Sequence, residues 1–393
     1  MKIKDEQIDK KSMQFGYVPQ LDGMRGIAIL AVIGFHAGFS FLSGGFFGVD
    51  IFFVLSGFLI TSLLLKEYDK YEYINLKHFY LRRALRLLPA LILLLFIFTL
   101  ASIIFLNWQD ARSNLLDAGI VLFYVANWAR AFQIHGAGWL GHAWSLSIEE
   151  QFYILWPTLL IFLLKRVQSK RKIFYIIVLL AVLSWLLRLY LISSGALTER
   201  IYNGLDTRAD SLLTGCALGV FLSSDILTAK LKDKLSKLLQ YFYPMAILIL
   251  IGVIISANLD GLYVYKWLLG LVEISTAFLI LAIFISEKSV LKRFLSIKPL
   301  VWIGSISYGL YLWHYPIFSL LWHLHQDSLI LSVGIPASFI IATCSYYFWE
   351  RPFLKLKKKL SLPQKPIEMK NGIKESIPYA VEKQKNDYSD NDG

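Results

Sequence analysis

The chain has 393 residues, of which 56% are hydrophobic, 15% aromatic and 17% charged, with a mean hydropathy of +0.55. That balance excludes an ordinary soluble globule, in which about a quarter of residues are charged, and points to a polytopic membrane protein. The net charge of +12 is spread over loop ends and so does not signal nucleic acid; the two cysteines, Cys216 and Cys344, sit in apolar stretches and exclude a disulfide scaffold or a cysteine-based metal site.

A bilayer crossing takes about 20 apolar residues. On that measure the expected fold is all-α, with about ten transmembrane helices near 26–43, 46–66, 87–106, 145–164, 173–192, 208–223, 241–257, 263–286, 300–322 and 329–350. The stretch 115–128, LLDAGIVLFYVANW, is short and polar at its flanks, and reads as an interfacial or re-entrant helix. Segments 1–25, 66–86, 165–172, 224–240, 287–298 and 351–393 together hold 34 of the 40 lysines and arginines, which predicts that these segments and both termini are cytoplasmic. The first apolar run is followed by SGGFFGVD and not by a cleavage site, so it is read as a retained span. The expected organisation is a cytoplasmic segment 1–16, a membrane domain 17–353, and a cytoplasmic, disordered tail 354–393. No internal repeat is evident.

Ionisable side chains at membrane depth are costly and mark candidate function. In the first span, LDGMRGIAILAVIGFHAGFS, Arg25 and His36 are 11 positions apart, within about 20° of whole turns, so both project from one helix face about 16 Å apart along the axis. Arg25 also suits a positive-inside anchor. Asp50, at the start of the second span, could orient an imidazole or cap its helix. In FYLRRALRLLPAL, Arg82, Arg83 and Arg86 would join Arg25 as a phosphate-binding rim, or serve as anionic-lipid contacts. Glu149 and Tyr153 in WSLSIEEQFYILWP share a helix face, and Glu150 is expected to point elsewhere, to headgroups or water. Arg208 departs from the positive-inside bias and suits an ion pair with Asp206 or Asp210, functional or structural. His314 lies at mid-depth in SYGLYLWHYPIF, beside the kinking Pro316. His135, His142, His323 and His325 fall in loops or at span ends and call for no role. Trp108, Trp128, Trp139 and Trp144 mark 107–144 as the best place for stacking on a sugar face, or as belt anchors.

The strings LDGMRGIAILAVIGFHA, GGFFGVDIFFVLSGFLIT, FYLRRALRLLPAL, WSLSIEEQFYILWP, DTRADSLLTGCALG, SYGLYLWHYPI and WERPF, in that order from residue 17 to about 353, resemble acyltransferase family 3. The resemblance implies a multi-pass cell-membrane enzyme transferring an acyl group, usually acetyl, from cytoplasmic acyl-CoA to a hydroxyl of a cell-surface glycan, lipid-linked sugar or related acceptor. It carries the family's arginine and histidine onto Arg25 and His36, and its glutamate onto Glu149. Acyl-CoA is then a donor substrate; no permanent cofactor or metal is implied. Some members carry a secreted esterase-like domain; this chain is read as ending in a cytoplasmic tail, so it acylates its acceptor directly or hands the group to a separate extracytoplasmic transferase.

Combined with the spacing, the expected scheme puts phosphates on Arg25, Arg82, Arg83 and Arg86 and the thioester near His36. Asp50 or Glu149 would set the tautomer of His36, while Tyr153, His314, Arg208 and Asp210 serve the acceptor site. The competing class is a proton-coupled transporter or flippase using His36, Asp50, Glu149 and His314 as a relay.

Overall fold

The computed structural model describes residues 17–136, 138–286 and 289–360, with side chains described as far as Lys357. Segment 1–16 and the tail beyond 360 lie outside the described residues.

The regular elements among them are all helical. α1 (Pro19–His36) opens on Pro19, where a missing N–H costs nothing. α2 (Gly48–Tyr71) stops at Glu72 in the left-handed region, φ 60°. The side chain of Asn75 caps α3 (Leu76–Phe105), and Asn107 caps α4 (Trp108–Leu122). After α5 (Ala126–Ala131), a 3₁₀ segment, Gly138–Ala143, leads into α6 (Trp144–Val167). Then come α7 (Lys170–Ser193), α8 (Thr198–Asn203), α9 (Leu205–Ser223), α10 (Ala229–Ser256) and α11 (Leu269–Ile285). α12 (Val290–Leu295), α13 (Lys298–Ser305), α14 (Ser307–His323), α15 (Ile335–Cys344) and α16 (Arg351–Leu360) follow. α16 therefore carries the helical part past the expected boundary at 353.

Seven helical stretches among the described residues are long and apolar enough to cross a membrane: Ser40–Tyr71, Leu76–Phe105, Gly138–Val167, Lys170–Ser193, Ala229–Ser256, Val264–Ile285 and Ile330–Lys357. The other three of the ten expected spans are α1, α9 and α14. They fall short for a physical reason: α1 carries Asp22, Arg25 and His36 in 18 residues, α9 carries Asp206, Arg208 and Asp210 in 19, and a break at Ile306 leaves α14 with 17.

These polar helices sit inside. α9 is buried over most of its length between α2 and α7, whereas α7 and α10 turn Leu179, Leu183, Leu248 and Ile251 outward. Such an apolar exterior suits lipid and would be a liability in water. α2 and α9 approach closely through a reciprocal glycine pair: a Cβ on Gly57 would strike the Leu212 carbonyl, and one on Gly215 the Val54 carbonyl. Two apolar cores flank α1 and α2, one built with α3, α6 and α14, the other with α10 and α11. The first encloses the site.

Candidate active site

α1 packs against α2, α13 and α14, and holds Arg25 in its second turn and His36 at its last residue. Arg25 donates to Asp22 at 3.1 Å. His36 Nδ1 lies 3.2 Å from His314 Nε2, and His314 Nδ1 lies 2.9 Å from the Leu310 carbonyl oxygen. A carbonyl only accepts, so His314 carries its proton on Nδ1. With both rings neutral, His314 Nε2 then accepts, and His36 must donate from Nδ1. The lone pair of His36 is thereby left on Nε2, the nitrogen a general base needs.

Beside Arg25 lies a cavity of about 120 Å³. Arg25 from α1, Ser56 from α2, Arg83 and Arg86 from α3, Ser145, Glu149 and Tyr153 from α6, and Tyr308 and Tyr311 from α14 line it. Glu149 and Tyr153, four apart on α6, both face it, as do Arg83 and Arg86, three apart on α3. Ser56 donates to Glu149 at 2.8 Å, and the Arg83 guanidinium lies 3.0 Å from the centre of the Tyr153 ring. Three guanidiniums and one carboxylate give the lining a net positive charge. Toward the far end, Ser145 and Tyr311 are 2.6 Å apart, and Tyr311 donates to the His142 carbonyl at 2.8 Å. The His142 ring sits 5.5 Å from that of His314 and 5.0 Å from Tyr315. Both His142 nitrogens are buried with no side-chain hydrogen-bond partner among the described residues; the ring's polar contact is to the Leu312 backbone. Polar groups thus run from guanidiniums through a carboxylate and two hydroxyls to three imidazoles. Among the described residues no three His, Cys, Asp or Glu side chains are placed to hold a metal ion.

The family model described as an acyltransferase domain matches residues 18–349, which takes in every residue of this polar track. The chain belongs to acyltransferase family 3. It is 38% identical over 362 residues to the peptidoglycan O-acetyltransferase of Listeria monocytogenes, covering 86% of this chain and 56% of that protein. A putative peptidoglycan O-acetyltransferase of Bacillus subtilis is 37% identical over 368 residues, covering 87% and 56%. A putative O-acetyltransferase of Staphylococcus aureus is 36% identical over 359 residues, covering 88% and 58%. The chain therefore spans little more than half the length of these relatives. No solved structure matches it.

Other residues singled out from the family member's sequence go elsewhere. Asp50 does not reach His36. It accepts from Arg208 at 2.5 Å and lies 3.3 Å from the Ser211 hydroxyl oxygen, inside a network in which Arg188 pairs with Asp210 at 2.6 Å and Ser211 donates to Glu273 at 2.7 Å. The reason is helix phase. Val49, Phe53, Ser56 and Ile60 form the cavity face of α2, and Asp50, Val54 and Gly57 the face turned to α9. Arg208 and Asp210 lie in that network, outside the cavity lining. Arg82 also leaves the expected rim and pairs with Glu67 at 3.3 Å, since adjacent residues on a helix point about 100° apart. Glu150 turns to Arg83, at 3.6 Å, and not to headgroups.

His142, Ser145, Tyr311 and Ser56 were not expected at the site. Ser145 and Glu149 are four apart, as are Ser56 and Ile60, so their shared faces were available as a signal. His142 had none, because the 3₁₀ segment that turns it inward is a tertiary feature.

Proposed function

We propose that the chain moves an acetyl group from acetyl-CoA, bound on the cytoplasmic side, to a hydroxyl of a cell-surface glycan or lipid-linked sugar. The observation that carries this reading is the cavity: it is lined by three guanidiniums, and its Tyr311 adjoins the imidazole cluster, 5.6 Å from the His314 ring that meets His36. Guanidinium suits bidentate phosphate binding, so Arg25, Arg83 and Arg86 would hold the phosphates of the donor while its arm extends along α1 toward His36. Glu149, held by Ser56, would set the charge of the passage. The acceptor oxygen attacks the thioester carbonyl carbon and His36 Nε2 takes its proton. The carbon–sulfur bond then breaks, and the sulfur leaves with that proton as the thiol of CoA. His142, whose ring has no side-chain partner among the described residues, is the donor we assign to the oxyanion of the tetrahedral intermediate. His314 acts through His36, fixing its tautomer.

The names of the relatives in Listeria and Bacillus support a peptidoglycan acceptor. The test is purified chain in vesicles with labelled acetyl-CoA inside and glycan strands outside. Label is expected in the glycan only when donor and chain are both present. Absence of both glycan label and free CoA would sink the reading.

A further inference from the structure

α4 buries two polar side chains, Asn114 and Asp117, beside Ala111, Ala118 and Val121. Asp110, Ser113, Asn114 and Asp117, at positions i, i+3, i+4 and i+7, form one polar stripe along a cavity, with Asn114 and Asp117 buried and Asp110 and Ser113 exposed, while Leu115, Leu116 and Leu122 are also exposed. The stripe walls a cavity of about 310 Å³, closed by His135, Trp139 and His323. Asp117 is 1% exposed and its carboxylate is in close contact with His135 Nε2. Asn114 is also buried and donates to Ser102 at 3.0 Å. The Trp139 ring stands 5.3 Å from that of His323. A Cβ at Gly138, which has a φ of +35°, would press on the second oxygen of Asp117, so glycine keeps this carboxylate approachable.

We propose that this cavity is a carbohydrate subsite, holding one sugar ring of the acceptor against Trp139 with its hydroxyls on Asp117, Asn114 and His135. The inference rests on the reading of the chain as an acyltransferase for hydroxyl acceptors and adds where the acceptor docks. Carboxylates and amides satisfy vicinal hydroxyls as acceptors and donors, and an indole face takes the apolar face of a sugar ring. A metal is not the occupant favoured here, because Asp110, Asp117, His135 and His323 do not converge as ligands. The other flagged tryptophans are committed elsewhere. Trp128 donates to Gln151 at 3.1 Å and stacks on Phe132, Trp144 is buried against Phe53 and Tyr202, and Trp108 is outside the lining.

Position fits the role. Trp139 and His142 lie on the same 3₁₀ segment, so three residues of chain, at most about 11 Å, separate the sugar platform from the imidazole cluster. A ring held on Trp139 thus has its neighbouring residue in the strand beside the segment that carries His142.

The test is binding of a labelled tetrasaccharide of alternating N-acetylglucosamine and N-acetylmuramic acid to the full chain in nanodiscs, with acetyl-CoA binding as the fold control. Trp139→Ala and Asp117→Asn are each expected to raise the Kd for the tetrasaccharide at least tenfold, and Trp139→Phe, which keeps a stacking face, less than threefold. Asp117→Asn, which keeps size and shape, carries the decision if Trp139→Ala loses the fold. No binding by the unaltered chain, or an unchanged Kd in Asp117→Asn, overturns the inference. Failure of acetyl transfer with sugar binding intact and Trp139-dependent would instead strike the proposed reaction.

Discussion

In the network shared by α2, α7, α9 and α11, each guanidinium meets a carboxylate. Arg208 pairs with Asp50 at 2.5 Å and Arg188 with Asp210 at 2.6 Å, and both arginine side chains are wholly buried. In the cavity bounded by α1, α3 and α6, Arg25 pairs with Asp22 at 3.1 Å and Arg83 with Glu150 at 3.6 Å, neither carboxylate lining the cavity, while Arg86 forms no ion pair among the described residues and Glu149 accepts from a serine. The first arrangement spends its charges on itself and ties four helices in register. The second leaves charge facing open space, where a ligand of opposite sign can complete it. Two clusters equally conspicuous as intramembrane charge therefore differ in their setting: one is closed on itself, the other lines a cavity.

Breaking the closed network should cost the most. Asp50→Ala leaves Arg208 buried and unpaired, a loss of about 3–5 kcal/mol, expected as a collapse in folded yield from detergent. The matched exchange Asp50→Leu with Arg208→Met should recover folded protein that still transfers acetyl. A folded double variant as inactive as one lacking His36 would erase the distinction between the clusters.

In the open cluster the expected loss is in donor binding. Arg86→Ala removes a charge-assisted contact to phosphate worth about 1.5–3 kcal/mol, so the KM for acetyl-CoA should rise roughly 10- to 100-fold with the thermal midpoint little changed. Equal losses in KM and thermal midpoint would place Arg86 with the structural arginines.

His314→Ala frees the His36 ring to take either tautomer. The loss of one orienting hydrogen bond, about 1 kcal/mol, predicts a several-fold fall in kcat at unchanged donor KM. Partial rescue is expected in His314→Gln, whose amide can still accept. A change in KM alone would contradict a positioning role. The smallest effect belongs to Arg82→Ala: its part-exposed pair with Glu67 is worth about 0–1 kcal/mol, so donor KM should move less than twofold.

Much of this was legible from spacing. Glu149 and Tyr153, four apart, both line the cavity, as a period of 3.6 residues predicts. The partner of Asp50 was not legible, because sequence proximity to His36 says nothing of the rotation of α2, which turns Ser56 to the cavity and Asp50 to α9. Three of the ten expected spans, α1, α9 and α14, are less apolar or shorter than the others because α1 and α9 carry charged residues and a break at Ile306 shortens α14. His135 and His142 read as loop residues; only packing of the 3₁₀ segment and α4 gives each a surrounding.

The central claim is that His36 Nε2 receives the acceptor proton at the end of the arginine-lined passage. The most direct measurement is acetyl transfer by His36→Ala in membranes supplied with labelled acetyl-CoA and glycan strands, with acetyl-CoA binding followed in parallel. Transfer should fall by roughly 10²–10⁴-fold while the donor still binds. Undiminished transfer by His36→Ala would contradict the account.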